Sequence, residues 1–176
     1  MKRIIMHWSA GTHTVSGLDR EHYHYIVDGD GNVVTGRYPV EANRVIDRER
    51  GYAAHTWNCN TGAIGVALAA MAGASEYPFR AGKFPITDKQ LLAFTRLVYR
   101  LSVQYSIPIK PDTVLTHAEV QPTLGITQKK KWDISWLPGM PAPGPAVSVG
   151  NALRRLIAAQ KPSLAATILT KLGVSK

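Results

Sequence analysis

Three polar residues far apart in this chain, His7, His117 and Asp133, have the side chains to do chemistry together, with Lys131 two positions before the last. Two neutral imidazoles and one carboxylate make a donor set that zinc accepts, with a fourth position left open for water. An open position belongs to catalytic rather than structural metal, and the chemistry it suggests is hydrolysis. On an extended segment Lys131 would point the same way as Asp133, where an ammonium can stabilise an oxyanion. Sequence distance alone does not separate this set from a chance triple, since neither an HExxH helix nor a CxxC pair is present. Each residue also has a plainer alternative. Either histidine can be a hydrogen-bonded core or rim residue, Asp133 can be a helix N-cap, and Lys131 can be one more member of the solvated run Lys129-Lys130-Lys131.

Both histidines close apolar runs, Ile4-Ile5-Met6 and Val114-Leu115-Thr116. Strands commonly deliver side chains to a shared site at their ends, where the next loop opens. Residues 3–7, 23–28 and 113–116 read as strands. Asp28-Gly29-Asp30-Gly31 is a hairpin turn signal, returning as Asn32–Thr35. Tyr23 would share a strand face with Tyr25 and Val27, with His22 and His24 on the opposite one. Residues 37–60 are mostly loop, and Ile64–Ala69 is an apolar run of the fully buried kind. Thr87 with Gln90 forms a capping-box start to a helix in which Leu91, Phe94, Val98, Leu101 and Tyr105 recur at helical spacing. Pro108 closes it.

The 176 residues suit one domain with a substantial core and a small appendage. The net charge of +9 favours an anionic partner: nucleic acid, anionic lipid or an acidic envelope polymer. No aromatic-and-basic stacking motif or helix-turn-helix signal accompanies that charge, so no specific nucleic acid is expected. The single cysteine, Cys59, rules out an intramolecular disulfide and reads as a small, partly buried residue. Met1-Lys2-Arg3 is followed by only three apolar residues, short of the about 7–15 of a secretory signal. The expectation is a chain made in the cytoplasm without a signal peptide. From Pro138 the composition shifts: 138–148 reads as a Pro/Gly-rich linker and 149–176 as a basic amphipathic helical tail interrupted by Pro162. The tail carries Arg154, Arg155, Lys161, Lys171 and Lys176 without an acid, and Leu153, Leu156 and Ile157 on one face. It could therefore lie on anionic membrane or lipopolysaccharide, or pack back on the domain.

Several short segments, in order over residues 3 to about 137, resemble the zinc-dependent N-acetylmuramoyl-L-alanine amidases of the bacteriophage lysozyme and peptidoglycan-recognition type. They are Ile4-Ile5-Met6-His7-Trp8-Ser9-Ala10, Tyr23-His24-Tyr25-Ile26-Val27, Asp30-Gly31-Asn32-Val33-Val34 with Gly36-Arg37, Ala54-His55 with Asn58 and Asn60, Ala63 to Leu68, His117-Ala118-Glu119-Val120, and Lys131-Trp132-Asp133. The resemblance implies that His7, His117 and Asp133 hold Zn2+, that Tyr23 and Lys131 assist catalysis, and that His55, with Trp57 and Asn58, lines the substrate groove. Glu119 falls outside the ligand set and is expected to cap or form a salt bridge. One departure is the stretch Gly11–His22, where phage-type members often hold a full helix and this chain reads as a loop or short turn.

The fold implied is α/β, a mixed central β-sheet flanked by helices, with residues 1–137 as the amidase domain. The implied reaction is hydrolysis of the amide between N-acetylmuramic acid and L-alanine of the peptidoglycan stem peptide. A phage or prophage endolysin, acting on the cell wall in the periplasm after release or export by other factors, is the role expected. The alternatives are a cytosolic muropeptide-recycling amidase and a catalytically inactive peptidoglycan-binding module. The inactive modules typically lose the third ligand, which is present here as Asp133.

Overall fold

Alternation along two buried strands organises this molecule, whose computed structural model describes residues 1–161. Arg3–Trp8 (β1) and Ala63–Leu68 (β4) pair in parallel from Arg3↔Ala63 to Trp8↔Leu68. Val114–Thr116 (β5) joins the outer edge of β1 in parallel, and Tyr25–Val27 (β2) joins the far edge of β4. Val33–Thr35 (β3) runs antiparallel to β2 and completes a five-stranded sheet in the order β3-β2-β4-β1-β5. The β2–β3 turn is pinned by Asp28 Oδ1, which accepts from the backbone of Asp30 and Asn32. This is the mixed sheet that the sequence implies.

Successive strand residues point to opposite faces, so β1 and β4 carry two different surfaces. Ile4, Met6 and Trp8 with Ile64, Val66 and Leu68 form the main core, roofed by Asp88–Gln104 (α2) and Ala146–Ala158 (α4). The other face holds Ile5 and His7 beside Ala63, Gly65 and Ala67, and is covered in part by His117–Leu124 (α3) through Val120. Small residues on β4 leave a hollow there, which the His55 ring fills. A Cβ at position 65 would stand 2.5 Å from that ring. The run expected simply as a buried strand is thus half core and half site.

The Thr87–Gln90 capping box opens α2 as expected, and the buried Gln90 amide also donates to the carbonyls of Val27 and Ala69. That ties the helix start to the ends of β2 and β4. The stretch Gly11–His22, expected as loop or short turn, contains a short helix, Gly17–His22 (α1), capped reciprocally by Ser16 and Asp19. Tyr23 caps the end of α1, and β2 starts only at Tyr25. Tyr23 and His22 therefore do not lie on the strand where the pattern had placed them. His24 does turn away, buried with its Nδ1 accepting the Gly65 N–H.

The segment from 138 to 161 also differs from expectation. The stretch expected as a linker is held down: Trp136 Nε1 donates to the Met140 carbonyl, Gly144 N–H donates to Ser135, and Met140 packs on the core. The helix begins at Ala146 rather than 149, and its Val149, Leu153 and Ile157 are buried in the core. Leu156 points outward instead. Residues up to 158 are thus part of the folded unit, not an appendage after 137. The apolar side that would meet membrane or lipopolysaccharide is already committed to the sheet. Residues 162–176, including Lys171 and Lys176, lie outside the described residues. No described helix is long and apolar enough to cross a membrane.

Candidate active site

β1 carries His7 on its site face. His117 is the first residue of α3, directly after β5, and β5 is the neighbour of β1. Parallel pairing therefore brings the two imidazoles side by side, with ring centroids 4.7 Å apart. Asp133 arrives on an irregular segment whose carbonyl accepts the Ala118 N–H. Its Oδ2 lies 3.0 Å from His7 Nδ1 and 3.1 Å from His117 Nδ1. One donor atom from each of these three buried residues falls within 4.8 Å of the others.

Burial pulls the His7 pKa down to about 4, assisted by the charges of His117 and Lys131 and opposed by Asp133. The ring is neutral at pH 7 and keeps a lone pair for a ligand. His7 Nε2 is 3.3 Å from both Thr56 Oγ1 and His55 Nδ1. A proton on Nε2 is satisfied there, and Nδ1 is left facing Asp133. Two imidazole nitrogens and an ionised carboxylate oxygen, converging without other protein contacts between them, fit zinc in number and kind.

His117 and Asp133 line a groove of about 510 Å³, with His7 fully buried behind them. Tyr23 and Lys131 both line it, as do His55 and Trp57. The Tyr23 ring stands 5.1 Å from the His7 ring, and burial pushes its phenol well above the usual range. Trp57 is 69% exposed on the rim. His55 is buried beside His7, and desolvation drives its pKa well below the ordinary imidazole value. Asn58, expected to line the groove, is exposed in a turn at φ +52 and does not line it. Asn60 lines it instead, and also accepts the Thr56 N–H.

Several wall residues were not singled out from sequence. Lys129, expected as solvated, lines the groove along with Lys131. Lys129 and Lys130 are both left-handed, at φ +48 and +57, which costs a non-glycine residue about 1–2 kcal/mol and turns the basic run toward the site. Trp8 and Trp132 meet edge-to-face at 4.6 Å on the same wall. Gln128 is buried in it, bonded to His117. Glu119 behaves as expected of a capping and salt-bridge residue: it accepts the Thr116 N–H and pairs with Arg154.

A family profile described as N-acetylmuramoyl-L-alanine amidase matches residues 1–143. No curated protein sequence matches the chain. Among solved structures, Staphylococcus aureus hydrolase AmiA in complex with its ligand aligns over 98% of this chain and 75% of that one, at 16% identity and TM-score 0.54. The Ph2119 endolysin of a Thermus scotoductus MAT2119 bacteriophage aligns over 75% and 77%, at 16% identity and TM-score 0.47. Bumblebee PGRP-SA aligns over 78% and 84%, at 19% identity and TM-score 0.44. The AmiA likeness supports the fold, and the profile extends to all three ligand positions and beyond. With that match over most of its length and the triad assembled, the chain belongs to the N-acetylmuramoyl-L-alanine amidase family, zinc-site hydrolases of the peptidoglycan amide between N-acetylmuramic acid and L-alanine.

Proposed function

We propose that the chain acts as an endolysin-type amidase on cell-wall peptidoglycan in the periplasm, with Tyr23 and Lys131 as its catalytic side chains. The observation that carries this reading is the meeting of His7, His117 and Asp133 beside a groove that His117 and Asp133 line together with Tyr23, Lys131 and the exposed Trp57. His7, His117 and Asp133 would hold zinc, which would supply a Lewis acid and lower the pKa of a water. With the amide of the muramoyl lactyl group bound in the groove, water adds its oxygen to the carbonyl carbon and gives a proton to the leaving nitrogen as the C–N bond breaks, yielding the lactyl carboxylate and a free L-alanine amine. Lys131, on the same wall as Asp133, offers a charged donor to the oxygen on which negative charge develops. Tyr23 keeps its proton at neutral pH because burial disfavours the phenolate, so it serves as a hydrogen-bond donor to the same oxygen. Trp57 gives the rim an apolar surface for a sugar ring or stem peptide. Lys129 and Lys131 suit the carboxylates of a stem peptide.

The test is digestion of purified sacculi by the zinc-loaded protein. Stem peptides with new N-terminal L-alanine amines should appear, without new reducing ends on the glycan. New reducing ends would identify a glycosidase and end the reading. Turnover of small muropeptides with intact sacculi untouched would favour a recycling role over an endolysin.

A further inference from the structure

We propose that Gln128 is a positioning residue for the metal: it fixes the His117 tautomer so that the Nδ1 lone pair faces Asp133 and the groove. The proposal rests on the reading that His7, His117 and Asp133 hold zinc.

The side chain of Gln128 can be oriented from its neighbours. Its Nε2 lies 2.9 Å from the Trp57 carbonyl and 3.4 Å from the Ile126 carbonyl. Carbonyl oxygens only accept, so the amide NH2 must face them. The amide oxygen, Oε1, then faces His117 Nε2 at 2.8 Å. That oxygen also only accepts, so His117 Nε2 must carry the proton. In a neutral imidazole the lone pair is then on Nδ1, 3.1 Å from Asp133 Oδ2. Two acceptors face each other at that distance, an arrangement that a cation between them turns from repulsive to attractive. Gln128 is 3% exposed, and its backbone N–H donates to Gln121 Oε1, on the same helix as His117. The bond to His117 is thus held from both ends. Histidine ligands commonly donate their second ring proton to an outer acceptor, which fixes ring and tautomer.

A second role is built in, since Gln128 also braces the loop carrying Trp57. Two substitutions in the full chain separate the roles. Gln128→Glu keeps an acceptor for His117 but cannot donate to the Trp57 carbonyl, whereas Gln128→Leu keeps bulk and loses both. Zinc affinity is measured by chelator competition on stripped and reloaded protein, and the His117 tautomer by imidazole 15N NMR. Removing such a partner commonly costs about 10–100-fold in metal affinity. That loss is expected of Gln128→Leu, together with a mixed or Nδ1–H tautomer in the metal-free protein. Gln128→Glu should match or exceed the parent in affinity. Loss of affinity by Gln128→Glu equal to that of Gln128→Leu would make Gln128 a brace only and overturn the proposal, as would parental affinity and tautomer in Gln128→Leu. Should Gln128→Leu fail to fold, Gln128→Glu decides alone: parental zinc affinity supports the positioning role, and a ten-fold loss overturns it. A parent that binds no zinc would sink the metal reading itself. A parent that binds it tightly while Gln128→Leu does the same would sink only this inference.

Discussion

His117 and Asp133 reach the same point on opposite kinds of support. His117 opens a helix whose first turn is locked from behind. Glu119, fully buried, accepts the Thr116 N–H and takes a two-pronged bond from Arg154 of α4 at 2.9 and 2.7 Å. Arg154 also donates to the Val114 carbonyl on β5. Gly150 leaves room for this pair, since a Cβ there would overlap the Glu119 carboxylate. Asp133 has no ion pair of that kind behind it, and its segment is held instead by the burial of Ile134, Trp136 and Leu137 in the main core. It sits on an irregular segment just past two left-handed lysines, anchored by the Ala118 N–H and by its contacts with the two histidines. One ligand is built into the core, and the other is carried in by a loop that also brings Lys131 and Gln128. Stability should therefore depend on the first support and catalytic tuning on the second.

The most severe break is His117→Ala, which removes a ligand supported by the frame. Zinc content and amidase turnover should fall together to background, and metal-free protein with full activity would refute the arrangement. Lys131→Ala tests the loop side. With one charged donor to the oxyanion gone, turnover should drop by about 10²–10³, while zinc content and melting temperature stay at parental values. Unchanged turnover would return Lys131 to the solvated run.

Arg154→Met should do the reverse. It leaves Glu119 buried without its partner, which typically costs about 3–5 kcal/mol. A melting temperature lower by many degrees is expected, with per-molecule activity of the remaining folded zinc protein close to normal. If Arg154→Met is as stable as the parent, α4 is not the support described here.

Acid should loosen the metal-free protein through its buried imidazoles. Burial lowers the His24 pKa to about 4, and His55 is lowered in the same sense. An unfolded histidine titrates near 6.5, so between roughly pH 6.5 and 4 the unfolded chain binds more protons than the folded one. Stability is then complete above that window and falls as pH drops through it. Melting curves of chelated protein from pH 8 to 4 should show this decline, and His24→Gln should flatten part of it. The smallest effect is expected for Asn58→Ala, exposed and outside the groove. Turnover and KM should stay at parental values, whereas Trp57→Ala should raise KM with little change in stability.

The strand-end histidines, the Thr87–Gln90 cap and the β2–β3 turn were legible because each is a local pattern. The three metal ligands were legible only through the likeness of their flanking segments to the amidase family, since an apolar run before a histidine does not by itself mark a ligand. What sequence hid was nonlocal. The alternation of Ala63, Gly65 and Ala67 with Ile64, Val66 and Leu68 carries a signal for a site-facing hollow, but an unbroken apolar run masks it. Ser16 and Asp19 had the spacing of a cap, obscured by flanking glycine and threonine. Arg154 looked like one more charge on a basic tail, since its partner Glu119 lies far away in sequence. Gln128 had no pattern at all, because its role depends on a carbonyl at Trp57 and a ring at His117.

The pairing of β1 has a consequence for how the molecule assembles. Arg3 and Ile4 find their neighbours only at Ala63 and Val114, so the strand bearing His7 waits for more than half of the chain before both of its edges are satisfied. Contacts so distant in sequence impose a large loop-closure cost ahead of their reward and slow the search for the native state. The seat for His117 is complete only when α4 has docked behind it. Metal capture is then expected near the end of folding, and a refolding chain should regain helix signal well before it can hold zinc.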